Sequence, residues 1–565
     1  MNKPGTAMRR VFRCNIPGTG PYGAARAAGP APSRRDRHQW HGRVSERGQT
    51  GRRWRIVATA TGSMALIAAA LAGCGPHTAA STTALTTLTI GVDGPPLSLN
   101  PAKDNNGASQ WFVDLAYLSV IDTNASGDPI PGISSSWKMA PGNKSIALTI
   151  DTSLKFADGT SVTAAAVANS LNYFAHNATG PSSATYKTIS AAVTGTDQVT
   201  VRDSLANPEL VEVLTPLYLG GDIISAAGLA HPASLSTGTY GAGPYVLDAS
   251  QTIPDVSYTY LPNPHYPNSK IHFKKVVIKV FSGTSSMVLA LDSGQIDVME
   301  GDTDTVATAR SSGAYVAYRP ADWNGIILTD RDGQTTPALK SVEVRQALNY
   351  AINRQAIAAA VGGQYTASTD QPNSGGNTGY DSSLNSYYTY NVAKAKRLLA
   401  DAGYPNGFTM KVNYTSAYSA VTLMVQAVSQ ELSQIGVRVE LTADANPGAL
   451  IKDMYSKKFA GSSLPFGGNA QALNWPILFL PGAPMNPFDS TSPTISAAYQ
   501  AVVTASPSAE ANAADAAERA VVQLAWALPV IQTDNFIYAS KNLTGVSLVP
   551  GGVSTNPRLW RPASS

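Results

Sequence analysis

Short stretches in which apolar and polar residues alternate recur along the chain, and each predicts a β-strand with one buried face. The first is "LTTLTIGVDGPP", where Leu88, Ile90 and Val92 share one face and a Gly/Pro turn ends the run. Another ends at "LKFADG", where Leu154 and Phe156 precede an Asp-Gly turn. Longer segments with a different period separate these strands.

Segments with apolar residues at three- and four-residue spacing follow several of the strands and predict amphipathic helices. In "SVTAAAVANSLNYF" the apolar stripe consists of Val167, Leu171 and Phe174. Four of the predicted helices begin at a residue whose side chain can accept hydrogen bonds from the free N–H groups of the first turn. These predicted caps are Thr163, Thr284 or Ser285, Ser341 and Asn391. Strands that alternate with helices in this way predict an α/β fold.

A different pattern precedes the first strand. Three arginines between positions 52 and 55 lead into a mostly apolar run over residues 56–71, which small residues and Cys74 follow. A positive segment, an apolar segment and a small-residue cleavage site together indicate a secretory signal. The ending Leu-Ala-Gly-Cys resembles the bacterial lipobox, which implies that Cys74 is lipidated and becomes the mature N-terminus. The alternative is an uncleaved anchor helix, although the run is shorter than the roughly 20 apolar residues that a spanning helix needs.

We therefore predict that residues 1–73 are a leader and signal peptide and that residues 74–84 are a flexible tether. Residues 1–51 are rich in Arg, Gly and Pro and make the leader unusually long. Translation from a later start, such as Val44, is an alternative that would leave a leader of ordinary length.

Removal of the leader reverses the net charge. The whole chain has 41 Lys+Arg and 37 Asp+Glu, a formal charge of +4. Residues 1–73 hold 13 of the basic and 2 of the acidic residues, so the remainder has 28 and 35, a net charge of −7. This acidic balance argues against a nucleic-acid partner. Cys74 is the only cysteine of the processed chain, which therefore has no internal disulfide. Burial of apolar residues in a core must stabilise the processed chain.

The catalytic and metal-binding motifs that a secreted enzyme would need are missing from the sequence. The seven histidines are scattered, and there is no HExxH or Cys/His spacing typical of a metal site. No GxSxG elbow and no P-loop occurs. We therefore predict no metal, no cofactor and no enzymatic activity.

Seven segments in order resemble those of the extracytoplasmic solute-binding proteins of peptide- and nickel-type ABC importers (solute-binding protein family 5). They are "LKFADGTSVTAAAV", "GTYGAGPYVL", "LPNPHYP", "ALDSGQIDVM", "VRQALNYAINRQAI", "AKRLLADAGYPNGF" and "LSQIGVRVEL". Two positions depart from the family pattern. Ala165-Ala166 replaces an acidic pair, and Gly-Ala-Gly-Pro-Tyr replaces Gly-Thr-Gly-Pro-Tyr at residues 241–245.

The resemblance implies a two-lobed, periplasmic-binding-protein-like fold of type II, in the large peptide-binder class with an extra inserted subdomain. Lobe I would comprise residues 85–120, 236–322 and 529–565. The inserted subdomain would comprise residues 121–235, and lobe II residues 323–528. Such lobes close on a ligand by hinge motion.

The resemblance also implies a function. The chain would be a monomeric lipoprotein, anchored through Cys74 on the extracytoplasmic face of the cell membrane, that captures peptides or a similar small solute and delivers them to ABC permease subunits. A surface lipoprotein that uses the same fold as a sensor or adhesion module is an alternative, because fold does not fix function.

Three loop stretches are expected at the cleft between the lobes, where ligand sites usually lie. They are "NNGASQWFVDLAY", "RPADWNGIIL" and "FGGNAQALNWPILF". The ligand-binding residues that we predict in them are Asn106, Trp111, Trp323, Asn324, Asn469 and Trp475. The alternative for each tryptophan is that it fills a lobe surface or the interface between lobes.

The third stretch limits the choice of ligand. Dipeptide and oligopeptide binders of this family use an aspartate there to neutralise the ligand's amino terminus, but residues 461–487 contain no Asp or Glu. A desolvated ammonium group without a counter-ion is costly. Either the ligand is blocked, neutral or cyclic, or a carboxylate such as Asp370 or Asp489 supplies the counter-charge.

Overall fold

The structure, a computed structural model, describes residues 85–103, 110–179, 183–467, 469–549 and 555–563. The predicted leader, tether and lipidation site at Cys74 lie outside these residues, and so does Asn106.

The strands of the described residues are mostly short. In chain order they are β1 (Thr87–Val92), β2 (Ile121–Thr123), β3 (Pro129–Pro131), β4 (Ser134–Met139), β5 (Ser145–Ile150), β6 (Ile189–Val193), β7 (Gln198–Asp203), β8 (Tyr245–Leu247), β9 (Ser257–Pro262), β10 (Lys275–Val280), β11 (Val298–Gly301), β12 (Tyr315–Leu328), β13 (Thr366–Ser368), β14 (Thr409–Thr415), β15 (Arg438–Asp444), β16 (Gly461–Ser463), β17 (Phe466–Gly467), β18 (Ala527–Ala539), β19 (Leu543–Thr544) and β20 (Arg561–Pro562).

Helices occupy the stretches between many of these strands. In chain order they are α1 (Gln110–Asp114), α2 (Ala164–Asn177), α3 (Ser183–Tyr186), α4 (Leu210–Val213), α5 (Ala226–Ala230), α6 (Thr284–Asp292), α7 (Val306–Ser311), α8 (Val342–Tyr350), α9 (Arg354–Val361), α10 (Val392–Asp401), α11 (Ser419–Ser433), α12 (Pro447–Met454), α13 (Gln471–Leu478), α14 (Pro493–Thr504) and α15 (Glu510–Gln523). None of these helices is both long enough and apolar enough to cross a membrane. The predicted α/β class is confirmed.

Three of the predicted helix caps are confirmed. The side chains of Thr163, Ser341 and Asn391 each accept a hydrogen bond from the first turn of α2, α8 and α10, respectively. The prediction of Thr284 or Ser285 as the cap of α6 is wrong, because Gly283 occupies that position. Gly283 has a φ of 152°, which a residue with a side chain rarely adopts, and the helix starts one or two residues earlier than predicted.

Most strands join one large mixed sheet, in the order β15-β14-β16-β12-β18-β11-β1-β10-β9-β8, with β13 paired to β18 and β17 paired to β12. The two longest strands, β12 and β18, pair antiparallel along almost their whole length. At one end β18 also pairs with β11, and at the other end β12 pairs with β16. Two register shifts, between Pro320 and Asp322 and between Asn324 and Gly325, interrupt the pairing in its middle.

The apolar core divides on either side of these register shifts. Two clusters contain mainly residues before Tyr318 together with residues after Asp534. Two others contain mainly residues 323–531. Thus β12 and β18 are the crossover strands between two separately packed regions.

A smaller antiparallel sheet, in the order β4-β5-β7-β6, lies in the first of these regions. Helix α2 packs against it through Val167, Leu171 and Phe174, the stripe predicted from the sequence, and all three are buried. The β2–β3 hairpin precedes this sheet, and its turn exposes residues 125 and 126. The loops of this region form one wall of the site described next.

Candidate functional site

The site is a cavity of about 370 Å³ between two distant parts of the chain. One wall comes from α1, the β2–β3 turn, α2, α3 and the segment that follows α4. The other wall comes from residues 376–378, which follow β13, and from Asn469 and Ala470, which precede α13. A volume of a few hundred Å³ is typical of a pocket for a small molecule.

A direct hydrogen bond joins the two walls. The phenol of Tyr218 donates to Oδ1 of Asn469 over 2.9 Å, although the two residues are 251 positions apart. On its own wall, Tyr218 is held by Tyr186, whose hydroxyl donates to the Tyr218 carbonyl. On the other wall, the amide of Asn469 donates to Asn474 Oδ1 over 3.3 Å. Tyr218 and Asn469 are therefore each also held by a hydrogen bond to a neighbour on their own wall.

A second contact lies farther along the same boundary. Asn143 is buried in the turn between β4 and β5 with a φ of 55°, a conformation that asparagine tolerates better than most residues. Its amide nitrogen donates to the carbonyls of Val503 and Ala505, at 3.2 and 2.8 Å. These carbonyls lie at the end of α14. Asn143 thus satisfies acceptors that the last turn of a helix leaves unpaired.

The electrostatic character of the cavity is acidic. Among its described lining residues the charged ones are Asp128 and Glu212, and none is Lys, Arg or His. Asp128 is exposed and accepts a hydrogen bond from the side chain of Asn124 over 2.9 Å. Glu212 is half-buried on α4. It is therefore the less screened of the two charges.

Two further carboxyl groups adjoin Glu212. Burial, the nearby charges of Glu212 and Glu510 and hydrogen bonds to both raise the pKa of Glu209 well above its usual value. Burial also raises the pKa of Glu212, although its hydrogen bond with Glu209 opposes this rise. Burial among these carboxyl groups therefore favours the protonated form of Glu209. Since Glu510 begins α15, this cluster joins the same two parts of the chain as the Tyr218–Asn469 contact.

A second cavity, of about 400 Å³, lies beside the register shifts of β12 and β18. Its lining includes Asp322, Asn324 and Asp534 together with residues 301–304 and 417–421. Burial raises the pKa of both Asp322 and Asp534 to about 6. The amide of Asn324 donates to Thr533 Oγ1 over 3.0 Å and so bridges the two long strands.

The predicted ligand-binding residues are divided among these places. Asn469 lines the first cavity and Asn324 the second, while Asn106 lies outside the described residues. Gln110, which stands next to Trp111 in the first predicted stretch, also lines the first cavity. The structure thus brings members of the first and third stretches together and places the second stretch elsewhere.

The three predicted tryptophans are buried, and none of them lines either cavity. Trp111 is 1% exposed and meets Trp560 edge to face at 5.5 Å. Trp323 is fully buried and stacks on Phe466 at 4.4 Å. Trp475, 1% exposed, lies roughly parallel to a tyrosine ring at 6.3 Å. In this arrangement each indole packs in an apolar cluster.

The two carboxylates that the sequence offers as counter-ions form their contacts elsewhere. Asp370 forms a buried ion pair with Arg354, at 2.6 Å. Asp489 is exposed and accepts a hydrogen bond from the backbone N–H of Gly482. Neither residue lines either cavity. The acidic groups at the first cavity are instead Asp128 and Glu212, which the sequence does not indicate because no motif surrounds them.

Comparison with known proteins identifies the family. The model of the bacterial extracellular solute-binding proteins, family 5 (middle region), matches residues 128–478, and the chain belongs to this family. Members of the family are solute-binding proteins of transporters, which lie outside the cytoplasm.

Two curated relatives illustrate the range of ligands. The probable D,D-dipeptide-binding periplasmic protein DdpA of Escherichia coli K12 is 33% identical over 227 residues, which cover 38% of this chain and 43% of DdpA. This match therefore spans less than half the length of DdpA. The glutathione-binding protein GsiB of Shigella boydii is 24% identical over 486 residues, which cover 80% of this chain and 90% of GsiB.

Solved structures show the fold. HbpA2 of Haemophilus parasuis superposes with a TM-score of 0.73 at 19% identity, over 85% of this chain and 100% of HbpA2. DppA of Helicobacter pylori, solved with the peptide STSA, superposes with a TM-score of 0.69 at 18% identity, over 85% of this chain and 99% of DppA. The two-lobed type II fold that was predicted is confirmed.

Proposed function

We propose that this chain is the extracytoplasmic substrate-binding lipoprotein of an ABC importer, which captures a peptide or a related small solute and delivers it to a membrane permease. The observation that carries the proposal is the cavity of about 370 Å³ whose two walls belong to distant parts of the chain and meet at Tyr218 and Asn469. A ligand between such walls favours the closed arrangement, because it contacts both walls only when they are together.

The lobe boundaries follow from the same proposal. Lobe I takes residues 85–120, 236–322 and 529–565, lobe II takes residues 323–528, and residues 121–235 form the inserted subdomain. The division of the apolar core at the register shifts of β12 and β18 supports a hinge in these two strands. The predicted ligand-binding residues Asn324 and Trp323 would then act at the hinge, and Asn469 at the ligand.

The remaining parts of the proposal concern the membrane. Cys74 carries the lipid anchor, the protein acts as a monomer, and the permease subunits receive the solute. A multiply acylated cysteine holds a protein on a membrane surface without a spanning helix, since each buried CH₂ contributes about 0.8 kcal/mol.

Native mass spectrometry of the protein purified without added ligand tests the capture of a solute. We expect adducts of peptide size, which unfolding and refolding remove and added peptide restores. A series of masses would identify a broad peptide binder, and one mass a dedicated binder. A bare mass, together with no thermal shift on addition of a library of short peptides, would contradict peptide capture.

A further inference from the structure

The charges around the first cavity restrict which solutes it can hold. Its described lining residues include the carboxylates of Asp128 and Glu212 and no basic side chain. A free carboxylate on the ligand would therefore meet no cationic side chain among the described lining residues.

Glu212 is placed to receive a positive charge. It lies on the short helix α4, half-buried, with its carboxylate beside that of Glu209. Glu209, which is 8% exposed, shares a hydrogen bond with Glu212, and burial raises the pKa of both carboxyl groups. Among the described residues, no Lys, Arg or His forms an ion pair with either glutamate. A partly buried charge without a counter-charge is costly, and a cation from the ligand would remove that cost.

Aromatic rings near Glu212 suit the same kind of group. Phe174, Tyr186 and Tyr218 all line the cavity, and the phenol hydroxyls of the two tyrosines are occupied by hydrogen bonds to protein acceptors. The side chains of these three residues form part of the cavity wall. The face of an aromatic ring attracts a cation.

We propose that Glu212 determines the specificity of this site, by binding an ammonium group of a solute that has no free carboxylate, such as a short peptide with a free amino terminus and a blocked or cyclised carboxyl end. This inference rests on the proposed function, since it assigns the ligand of the same cavity. It places the counter-charge for the ligand's ammonium in residues 121–235, on the wall opposite the loop at residues 461–487.

A library of short peptides in four end states tests this assignment. The same mixed dipeptides and tripeptides are prepared with both ends free, with the amino end acetylated, with the carboxyl end amidated, and with both ends blocked. Binding to the full processed protein is measured by native mass spectrometry, and dissociation constants are obtained by calorimetry for the peptides that bind. We expect the amidated peptides with a free amino end to bind most tightly, and acetylation of that end to weaken binding by about tenfold to a hundredfold, the range of a hydrogen bond to a charged group.

Variants identify the residue that is responsible. Glu212→Gln should remove the preference for a free amino end, while Glu440→Gln, a control on β15 outside both cavities, should preserve it. Asp128→Asn should change the preference less than threefold, because the Asp128 carboxylate is exposed to solvent. If the glutamine variant does not fold, Glu212→Asp serves as a second variant, because it keeps the charge.

The outcomes separate this inference from the function on which it rests. If acetylated peptides or free acids bind as tightly as the free-amine amides, peptide capture stands and the role of Glu212 is refuted. A preference that survives Glu212→Gln in a folded protein refutes the assignment to Glu212. If no peptide of any end state binds, the proposed function itself fails, and the inference fails with it.

Discussion

Tyr218 and Asn469 meet across the candidate cavity, with the tyrosine hydroxyl 2.9 Å from the asparagine Oδ1. Tyr218 follows α4 and Asn469 precedes α13, so no local sequence signal brings them together. The hydrogen bond joins the wall that carries Glu212 to the wall that carries the loop predicted to contact the ligand. Its strength therefore contributes to the closed arrangement in which a solute would be enclosed.

Tyr218→Phe removes the hydroxyl of this contact and keeps the ring in the cavity. We expect the affinity for a bound peptide to fall by about twofold to tenfold, because a typical hydrogen bond contributes about 0.5–1.5 kcal/mol. Calorimetric titration measures the change, and Tyr455→Phe, at an exposed tyrosine, serves as the control. An unchanged dissociation constant for Tyr218→Phe would show that the contact is absent from the bound state.

Asn143→Gly tests the second contact between the walls. Glycine accepts the left-handed backbone at this position but lacks the amide that donates to Val503 and Ala505. We expect the ligand to dissociate several times faster, since the closed arrangement loses two hydrogen bonds. Stopped-flow fluorescence measures the rate. Asp255→Gly, at an exposed turn with a φ of 61°, controls for the effect of glycine on the chain, and an equal change in both variants would contradict the expected role of Asn143.

The buried carboxyl group of Glu518 should make the stability of the folded protein depend on pH. Burial raises the pKa of Glu518 to about 8, although Gln471 donates a hydrogen bond to it over 2.9 Å. Because the folded protein binds this proton more tightly than the unfolded chain, the stability that the proton contributes is lost as the pH rises from about 4.5 to about 8. Thermal unfolding should therefore show that Glu518→Gln raises Tm relative to the wild type at pH 8 by about 2 °C or more, and much less at pH 5.

The control for this prediction is Glu440→Gln, at a surface position of β15. Its Tm should differ from the wild type by a similar small amount at both pH values. If Glu518→Gln behaves in the same way as this control, Glu518 does not hold a proton in the folded protein.

Two substitutions of Trp323 should differ in their effect on stability. The indole is fully buried against Phe466, so Trp323→Ala should destabilise the fold by about 3–5 kcal/mol, as the loss of a large core side chain does. Trp323→Phe keeps the stacked ring and should retain most of that stability and the peptide affinity. Chemical unfolding and calorimetry measure both. A tenfold loss of affinity in Trp323→Phe without a loss of stability would instead show that the indole contacts the ligand.

Substitution of Cys74 tests whether this residue attaches the protein to the membrane. Cys74→Ser should release the protein from the membrane fraction, because the hydroxyl of serine cannot carry the thioether-linked lipid of a lipoprotein. Fractionation of cells and intact-mass measurement of the wild-type protein check this result. Retention of the serine variant in the membrane with its leader uncleaved would favour the anchor-helix alternative.

Local features of the fold could be predicted from the sequence because short-range chemistry determines them. Thr163, Ser341 and Asn391 cap helices as predicted, since the cap depends on a side chain and the backbone three residues away. The cap of α6 was mispredicted because Gly283 allows a backbone turn that side-chain chemistry does not indicate. The two-lobed architecture could be expected only from the resemblance to a family.

The site was less accessible to sequence analysis because distant packing creates it. The sequence predicts Asn469 as a ligand-binding residue from its loop, but it does not indicate Tyr218 or Glu212. Nothing in "NPELVEVLTPLY" shows that this segment faces a distant loop of the chain. The sequence predicts the three tryptophans as ligand-binding residues because they are aromatic residues in expected loops. The structure buries Trp111, Trp323 and Trp475 because their large apolar surfaces gain more from the core than from a cavity rim.

The most direct test of the account is the distance between the two walls with and without a solute. Spin labels on cysteines introduced at the exposed residues Thr152 and Ser508, in a Cys74→Ser background, report on the first region and on the segment between α14 and α15. Pulsed electron resonance should show a long, broad distance distribution without ligand and a shorter, narrow one with a saturating peptide that calorimetry has identified. A distribution that the bound peptide leaves unchanged would contradict capture by closure.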